Sequence, residues 1–337
     1  MEPETRPAES ETPKARRWVF LLGGLAVLAG LYGVGWQIAS TRLTDNLLSA
    51  MAGMDASGRQ TDCRAPQKGG FPFAVTLTCE TLKSDDVEHG ISSTLGQTTA
   101  SLSIFAPNRI ETTSKGPLEI RSTYGLLLSE WQAITSKIDL GLDGITALRA
   151  DSNGLKATFT APAKERSLQI NTTNLSVFAE GRDGNLVAGL SSDGTTLARN
   201  GASLPIPALA LNGEVRIDDR ADLIGRFDRQ ALFGTSGTLE SLTADLGEGR
   251  SLAISGPFSI DANGLVSGQM QLQARNVSAW VVAAQAALPE FADVIETAGG
   301  LLRSMAKGKP DLTLDLTLKR GKILVAGFIP VGELPPL

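Results

Sequence analysis

The chain has 337 residues, a formal net charge of -5, two cysteines and one histidine, and aromatic residues make up 5% of it. This length allows one large or two ordinary domains with a sizeable core. Charges of both signs are interspersed, so no basic surface marks a nucleic-acid partner. Gly, Thr, Ser, Leu, Ile and Val dominate, which favours many strands joined by tight turns over a helical bundle.

Residues 1–17, MEPETRPAESETPKARR, hold almost nothing apolar and cannot offset their ordering entropy, so a disordered cytoplasmic tail is expected there. Residues 18–36, WVFLLGGLAVLAGLYGVGW, carry no charge and suit the ~30 Å hydrocarbon core of a bilayer. Trp18 at one end and Trp36 at the other sit where amphipathic rings favour the headgroup level, and Lys14, Arg16 and Arg17 precede the run. This asymmetry predicts an uncleaved transmembrane helix with its N-terminus in the cytoplasm and the rest of the chain outside. A cleaved signal peptide is the alternative, although QIASTR offers no clean A-x-A-like site. From 37 to 56, Ile38, Leu43, Leu47, Leu48 and Met51 recur at helical spacing, so the helix is expected to continue as an amphipathic stem.

In CRAPQKGGFPFAVTLTC, Phe73, Val75, Leu77 and Cys79 fall on one face of a strand whose lead-in is made irregular by Gly69, Gly70 and Pro72. Cys63 and Cys79 lie close together in a chain routed across a membrane, which reads as a disulfide in an oxidising compartment. Two free buried thiols are the alternative. The single histidine, His89, falls in SDDVEHG, a solvated turn by composition, so neither a metal nor a cofactor is expected.

From there to about residue 275 the chain reads as strand, turn, strand. TTASLSIFAP, GLKATFTAP, RSLQINTTNLSVFAEG and RSLAISGPFSIDA carry partial period-2 alternation, and DSNG, EGRDGN, LGEGR and DANG suit hairpin turns. Short turns impose antiparallel pairing. LLLSEWQAIT fits a helical face too, but is read as strand. Pro205 and Pro207 exclude a central strand, and RIDDRADLIGRFDRQALFG is the expected short helix, making 200–230 a candidate seam between two sheet halves. After Asn276, VSAWVVAAQAALPEF and ADVIETAGGLLRSMAKG read as an Ala-rich helical pair, and residues 311–337 as a closing hairpin. The fold class is therefore mainly β, with extended, twisted antiparallel sheets over 57–337, a C-terminal helical pair, and one transmembrane helix in front.

The order of an N-terminal anchor, GGFPFAVTLTC, a mid-chain Trp131 and the ending GFIPVGELPPL resembles a bacterial family of membrane-anchored envelope proteins catalogued as domain of unknown function 2125. The resemblance places the chain in the bacterial inner membrane with a periplasmic domain, and carries over no catalytic residue. GPFSIDANGLVSGQMQLQARNVSAW is more loosely similar to AsmA-like envelope proteins. That likeness implies a curved sheet with an apolar groove and a link to lipid movement.

A non-enzymatic lipid-binding protein, or a scaffold that binds envelope proteins through sheet edges or the C-terminal helices, is expected. The first would show strands apolar on both faces. No catalytic residue is named, because the lone histidine and the absence of G-x-S-x-G leave out the usual serine-hydrolase arrangement.

Overall fold

The computed structural model describes residues 14–52, 59–87, 90–142, 144–162, 166–224, 229–287, 289–306 and 309–337. His89, residues 1–13 and residues 53–58 thus lie outside the described residues, and on the first helix side chains are described for residues 23–46, 48 and 49, so Leu47 and Met51 of the expected stem are not among them.

The helix α1 spans Lys14–Ala52 without interruption. Leu25, Val27, Leu28, Leu31 and Val34 are 61–66% exposed, whereas Ser40 and Thr44 further along are buried where α1 meets the first strands. Thr44 Oγ1 donates back to the Ser40 carbonyl at 2.8 Å, so this short polar side chain is satisfied without solvent. Among the described residues no helix is long and apolar enough to cross a membrane. Lys14, Arg16, Arg17 and Trp18 of the expected anchor lie outside the described side chains.

All strands belong to one antiparallel meander, in which each long strand pairs with the next. Five opening strands are each broken into two. They are β1 and β2 (Arg59–Arg64, Gln67–Gly69), β3 and β4 (Ala74–Cys79, Thr81–Asp86), β5 and β6 (Ile91–Leu95, Thr98–Ser103), β7 and β8 (Ala106–Ser114, Leu118–Ser122), and β9 and β10 (Gly125–Glu130, Ala133–Gly141). Then follow the long β11 (Gly144–Ala161), β12 (Arg166–Arg182) and β13 (Asn185–Arg199). The bridge β14 (Ala202–Ser203) leads to β15 (Leu209–Ile217), β16 (Ser236–Asp245), β17 (Ser251–Ile260) and β18 (Val266–Ala274). The helices α2 (Val277–Ala287) and α3 (Ala292–Met305) intervene before β19 (Leu312–Lys319), β20 (Lys322–Val325) and β21 (Ile329–Glu333).

The strand breaks fall at one level across the sheet. Glu80 N donates to the Arg64 carbonyl (3.0 Å), Gly96 N to Pro117 (2.9 Å) and Lys115 N to Gln97 (2.8 Å), so pairing persists where the strands bend. The line continues at Gly154 (φ 66) in β11 and Gly194 (φ 64) in β13, both skipped by the ladder. Interruptions of this kind bend a strand, and aligned interruptions crease the whole sheet. Inside a crease only small side chains fit, and Cys79, Ser114, Ser129, Ser152, Thr172, Ser192 and Thr195 are buried there. Thr172, Ser192 and Thr195 satisfy one another, with Thr195 Oγ1 donating to Thr172 Oγ1 at 3.1 Å and the Ser192 and Thr195 hydroxyls 3.1 Å apart; the Ser114 carbonyl accepts from Trp131 Nε1 at 3.0 Å, and Ser152 Oγ has no partner among the described residues. At Gly96 a Cβ would lie 2.5 Å from the Lys115 carbonyl oxygen, which is why the fold line takes glycine there.

Sequence and structure differ at two places. LLLSEWQAIT is strand, but it is split at Trp131, whose ring closes the crease. The expected helix at 216–234 begins instead as the end of β15, where Arg216 and Ile217 pair with β13 and β16, and goes on in 3₁₀ turns at Ala221–Leu223 and Arg229–Leu232, with 225–228 outside the described residues. At the suggested seam near 200–230, β13 pairs with β15 and β15 with β16, each ladder shifting register once.

Cys63 and Cys79 form a disulfide with a Cα–Cα distance of 5.3 Å. The turn that follows β2 holds α1: Ala74 N donates to the Gly70 carbonyl (2.8 Å), Trp36 Nε1 donates to the Ala74 carbonyl (3.1 Å), the Tyr32 hydroxyl donates to the Pro72 carbonyl, and the Phe71 ring packs edge-on against Trp36 at 5.1 Å. Gly70 has φ 97, and a Cβ there would sit 2.5 Å from the Ala74 carbonyl oxygen. Gly70→Ala is therefore expected to cost about 1–3 kcal/mol of strain, lowering the denaturant midpoint of the full chain and exposing Trp36 to solvent-side fluorescence quenchers.

Candidate functional site

Strand pairing places like residues in rows across one face of the sheet. Because neighbours in a ladder share a face, the registers define a row Val75, Leu102, Ile110, Ile138, Leu148, Ala179, Ala188, Val215, Leu239, running from β3 to β16. The adjacent row on the same face is Leu77, Ala100, Thr112, Ser136, Ala150, Val177, Leu190, Gly213, Leu242, Ile254, Leu272, Leu314. A third row holds the buried crease residues Cys79, Ser114, Ser152 and Ser192, and ends at Leu252, Ala274 and Leu312. Beyond the crease, Leu82, Leu95, Leu118, Ser129, Ala157, Ile170 and Leu197 form the opposing row, and the disulfide joins the two sides because Cys63 stands at its end. The crease thus turns one apolar face into a trough.

The other face is polar. Arg109 and Asp139 pair at 2.6 Å across β7 and β10, and the carboxylate raises the Arg109 pKa. Arg216 reaches Glu240 at 3.3 Å, and Lys137 and Arg149 point to solvent. Alternation between the two faces is what an antiparallel sheet with one covered side requires.

Cover is incomplete. At the C-terminal end α2 and α3 close the apolar face, where Val277, Val281 and Ala306 form a core with Ala274, Leu312 and Leu314. In the middle, Val177, Leu190 and Leu242 remain 37%, 39% and 40% exposed, and with Ala188, Val215 and Leu239 they line a hollow of about 300 Å³. A larger hollow of about 670 Å³ sits at the β10–β11 turn, lined by Leu142, Ile145, Ala221 and Ile224 beside Thr146 and Asp222, whose carboxylate pairs with Arg220 at 3.0 Å. Lining, not size, makes the trough the candidate site.

Among the described residues no three His, Cys, Asp or Glu side chains come together as a metal site. Of the residues singled out in the sequence, Cys63 and Cys79 meet in the trough wall and Trp36 anchors α1 to the 70–74 turn. The trough rows themselves have a sequence signal: Leu, Ile, Val or Ala at alternate positions in consecutive strands. The expected mark of a groove, strands apolar on both faces, is absent. These strands are apolar on one face, and the missing element is its cover.

Fold and site define a class: a single-sheet β-meander protein, disulfide-closed, that presents one apolar face folded into a trough. The chain belongs to a bacterial family described as "Uncharacterized protein conserved in bacteria (DUF2125)", whose model matches residues 36–335. This match does not extend to the AsmA-like proteins. No curated protein matches the chain.

Proposed function

We propose that this protein binds the acyl chain of a lipid in the trough, on a domain anchored to the bacterial inner membrane and facing the periplasm. The observation that carries the reading is the apolar face between the crease and α2–α3, whose Val177, Leu190 and Leu242 are left open in a fold that covers the same rows elsewhere. Contiguous apolar surface of this kind marks an interaction site, and apart from Glu214 every side chain of its lining is aliphatic or glycine. Anchoring is supported by the uncharged run 18–36 behind Lys14, Arg16 and Arg17, and by the exposed Leu25, Leu28 and Leu31 of α1. The disulfide supports an oxidising compartment.

A reporter active only in the periplasm, fused after Leu337, is expected to be active; activity from a cytoplasmic reporter instead would overturn the topology. Native mass spectrometry of the full chain released from detergent micelles tests the ligand. A lipid-mass adduct that survives micelle removal is expected. A bare chain of intact fold would sink the reading.

The second reading, a scaffold for envelope proteins, rests on the C-terminal edge. The edge strand β21 is exposed along its length, and Phe328 and Val331 are 74% and 52% exposed beside it and within it. An open edge can add a strand from another chain, although Pro330 removes one ladder donor there.

A further inference from the structure

Under α2 and α3 the apolar face does not close completely. A cavity of about 310 Å³ remains between the helices and β17–β19, walled by Leu252, Leu272 and Leu314 from the sheet and by Val281, Ala284 and Ile295 from the helices. Trp280 and Leu302 complete its outer part. Native interiors leave few voids larger than a water molecule, so an apolar space at the lower end of the roughly 300–1,000 Å³ range of ligand pockets is a feature to account for.

One lining residue, Trp280, carries a buried donor: its Nε1 has no hydrogen-bond partner among the described residues. A buried N–H donor left unpaired costs about 1–3 kcal/mol, and the other lining side chains, all aliphatic or glycine, cannot accept from it. Leu272 and Leu314 are the last members of the row that begins at Leu77 and passes through Leu190 in the open trough. The cavity is therefore the covered end of the same apolar surface.

We propose that this cavity is the seat of a single acyl chain, with Trp280 Nε1 donating to the one acceptor oxygen at its head, a carboxyl or ester oxygen. The assignment rests on the trough reading for how a chain would arrive, but the cavity has its own recognition chemistry. An aliphatic chain fills a wall without donors or acceptors, and its single oxygen matches the single orphan donor. A peptide segment would bring several amides for which this lining has no partners.

The test uses the full chain in detergent with a hexadecanoic acid bearing a terminal diazirine, and in a parallel arm a phosphatidylethanolamine carrying the same chain. After illumination, labelled peptides are mapped by mass spectrometry. Labels on α2, α3 and β17–β19 are expected from at least one probe, and the arm that labels tells whether the chain comes as a free acid or within a phospholipid. Ala284→Phe and Leu272→Trp, which fill the cavity from opposite walls, are expected to abolish these labels. Trp280→Phe keeps an aromatic ring, smaller than the indole, and removes the donor. It is expected to raise the half-saturating probe concentration about two- to tenfold, the worth of one net hydrogen bond.

Labels confined to β12–β16 would overturn the cavity assignment and leave the trough reading standing. Labels nowhere on the sheet would overturn both. Labels at the helices that persist undiminished in the two filling variants and in Trp280→Phe would also overturn the assignment. Should a filling variant lose its cooperative melting transition, Trp280→Phe, which adds no bulk to the cavity, decides alone.

Discussion

Replacing either Cys63 or Cys79 by serine is expected to lower the melting temperature of the full chain by about 6–12 °C. The disulfide closes a loop in which the chain runs out along β1–β2, around the Gly70 turn and back along β3. A loop of roughly 15 residues restricts the unfolded ensemble by about 3 kcal/mol in the chain-entropy model, and each kcal/mol moves the midpoint of a unit this size by about 2–4 °C. The bond also ties Cys79 of the crease row to Cys63 of the opposing row, so its loss frees the two sides of the fold line at the edge where α1 docks. The double variant is expected to lose no more than either single variant, because one shared bond is removed. Additive losses in the double variant would show that the cysteines act separately through packing.

The second large effect is expected at Leu190. Leu190→Glu puts a carboxylate in the middle of the open trough, beside Val177 and opposite Gly213. Since the position is 39% exposed, the new side chain reaches water and the fold is expected to keep its melting transition. A bound acyl chain would instead have to lie against a charge, and the effective desolvation penalty of a buried ion is several kcal/mol. Lipid affinity is expected to fall about 100-fold or more, read as loss of the lipid-mass adduct. Lys137→Glu on the polar face is the control and is expected to leave the adduct unchanged. Equal adducts in folded Leu190→Glu and wild type would contradict the trough.

The strands were legible because alternation and turn chemistry agree. RSLQINTTNLSVFAEG alternates on both sides of Thr173, and β12 covers it. The two Ala-rich segments after Asn276 form α2 and α3, and the GFPF lead-in is a turn. The crease was not legible. Ser114, Ser152, Thr172 and Ser192 read as solvent-facing residues by their chemistry, yet they are buried. Only their alignment across neighbouring strands, a property of register, reveals that they share a fold line with Gly154 and Gly194. The 3₁₀ turns after Ile217 were missed for a related reason: a charged, helix-permissive stretch was recruited by the growing edge of the sheet. As for the site, its apolar rows were present in the sequence, but whether anything covers them depends on where α2 and α3 come to rest. Their position over β17–β19 leaves Val177, Leu190 and Leu242, on β12, β13 and β16, open.

The face-specific claim is tested most directly from the protein's side. Benzoylphenylalanine placed at Leu190, on the trough row, and separately at Lys137, on the polar face, is illuminated in the membrane before extraction. The account predicts a lipid adduct from position 190 and none from position 137. Adducts from both positions, or from neither in a protein that melts normally, would contradict a sheet that holds its acyl chain on one face.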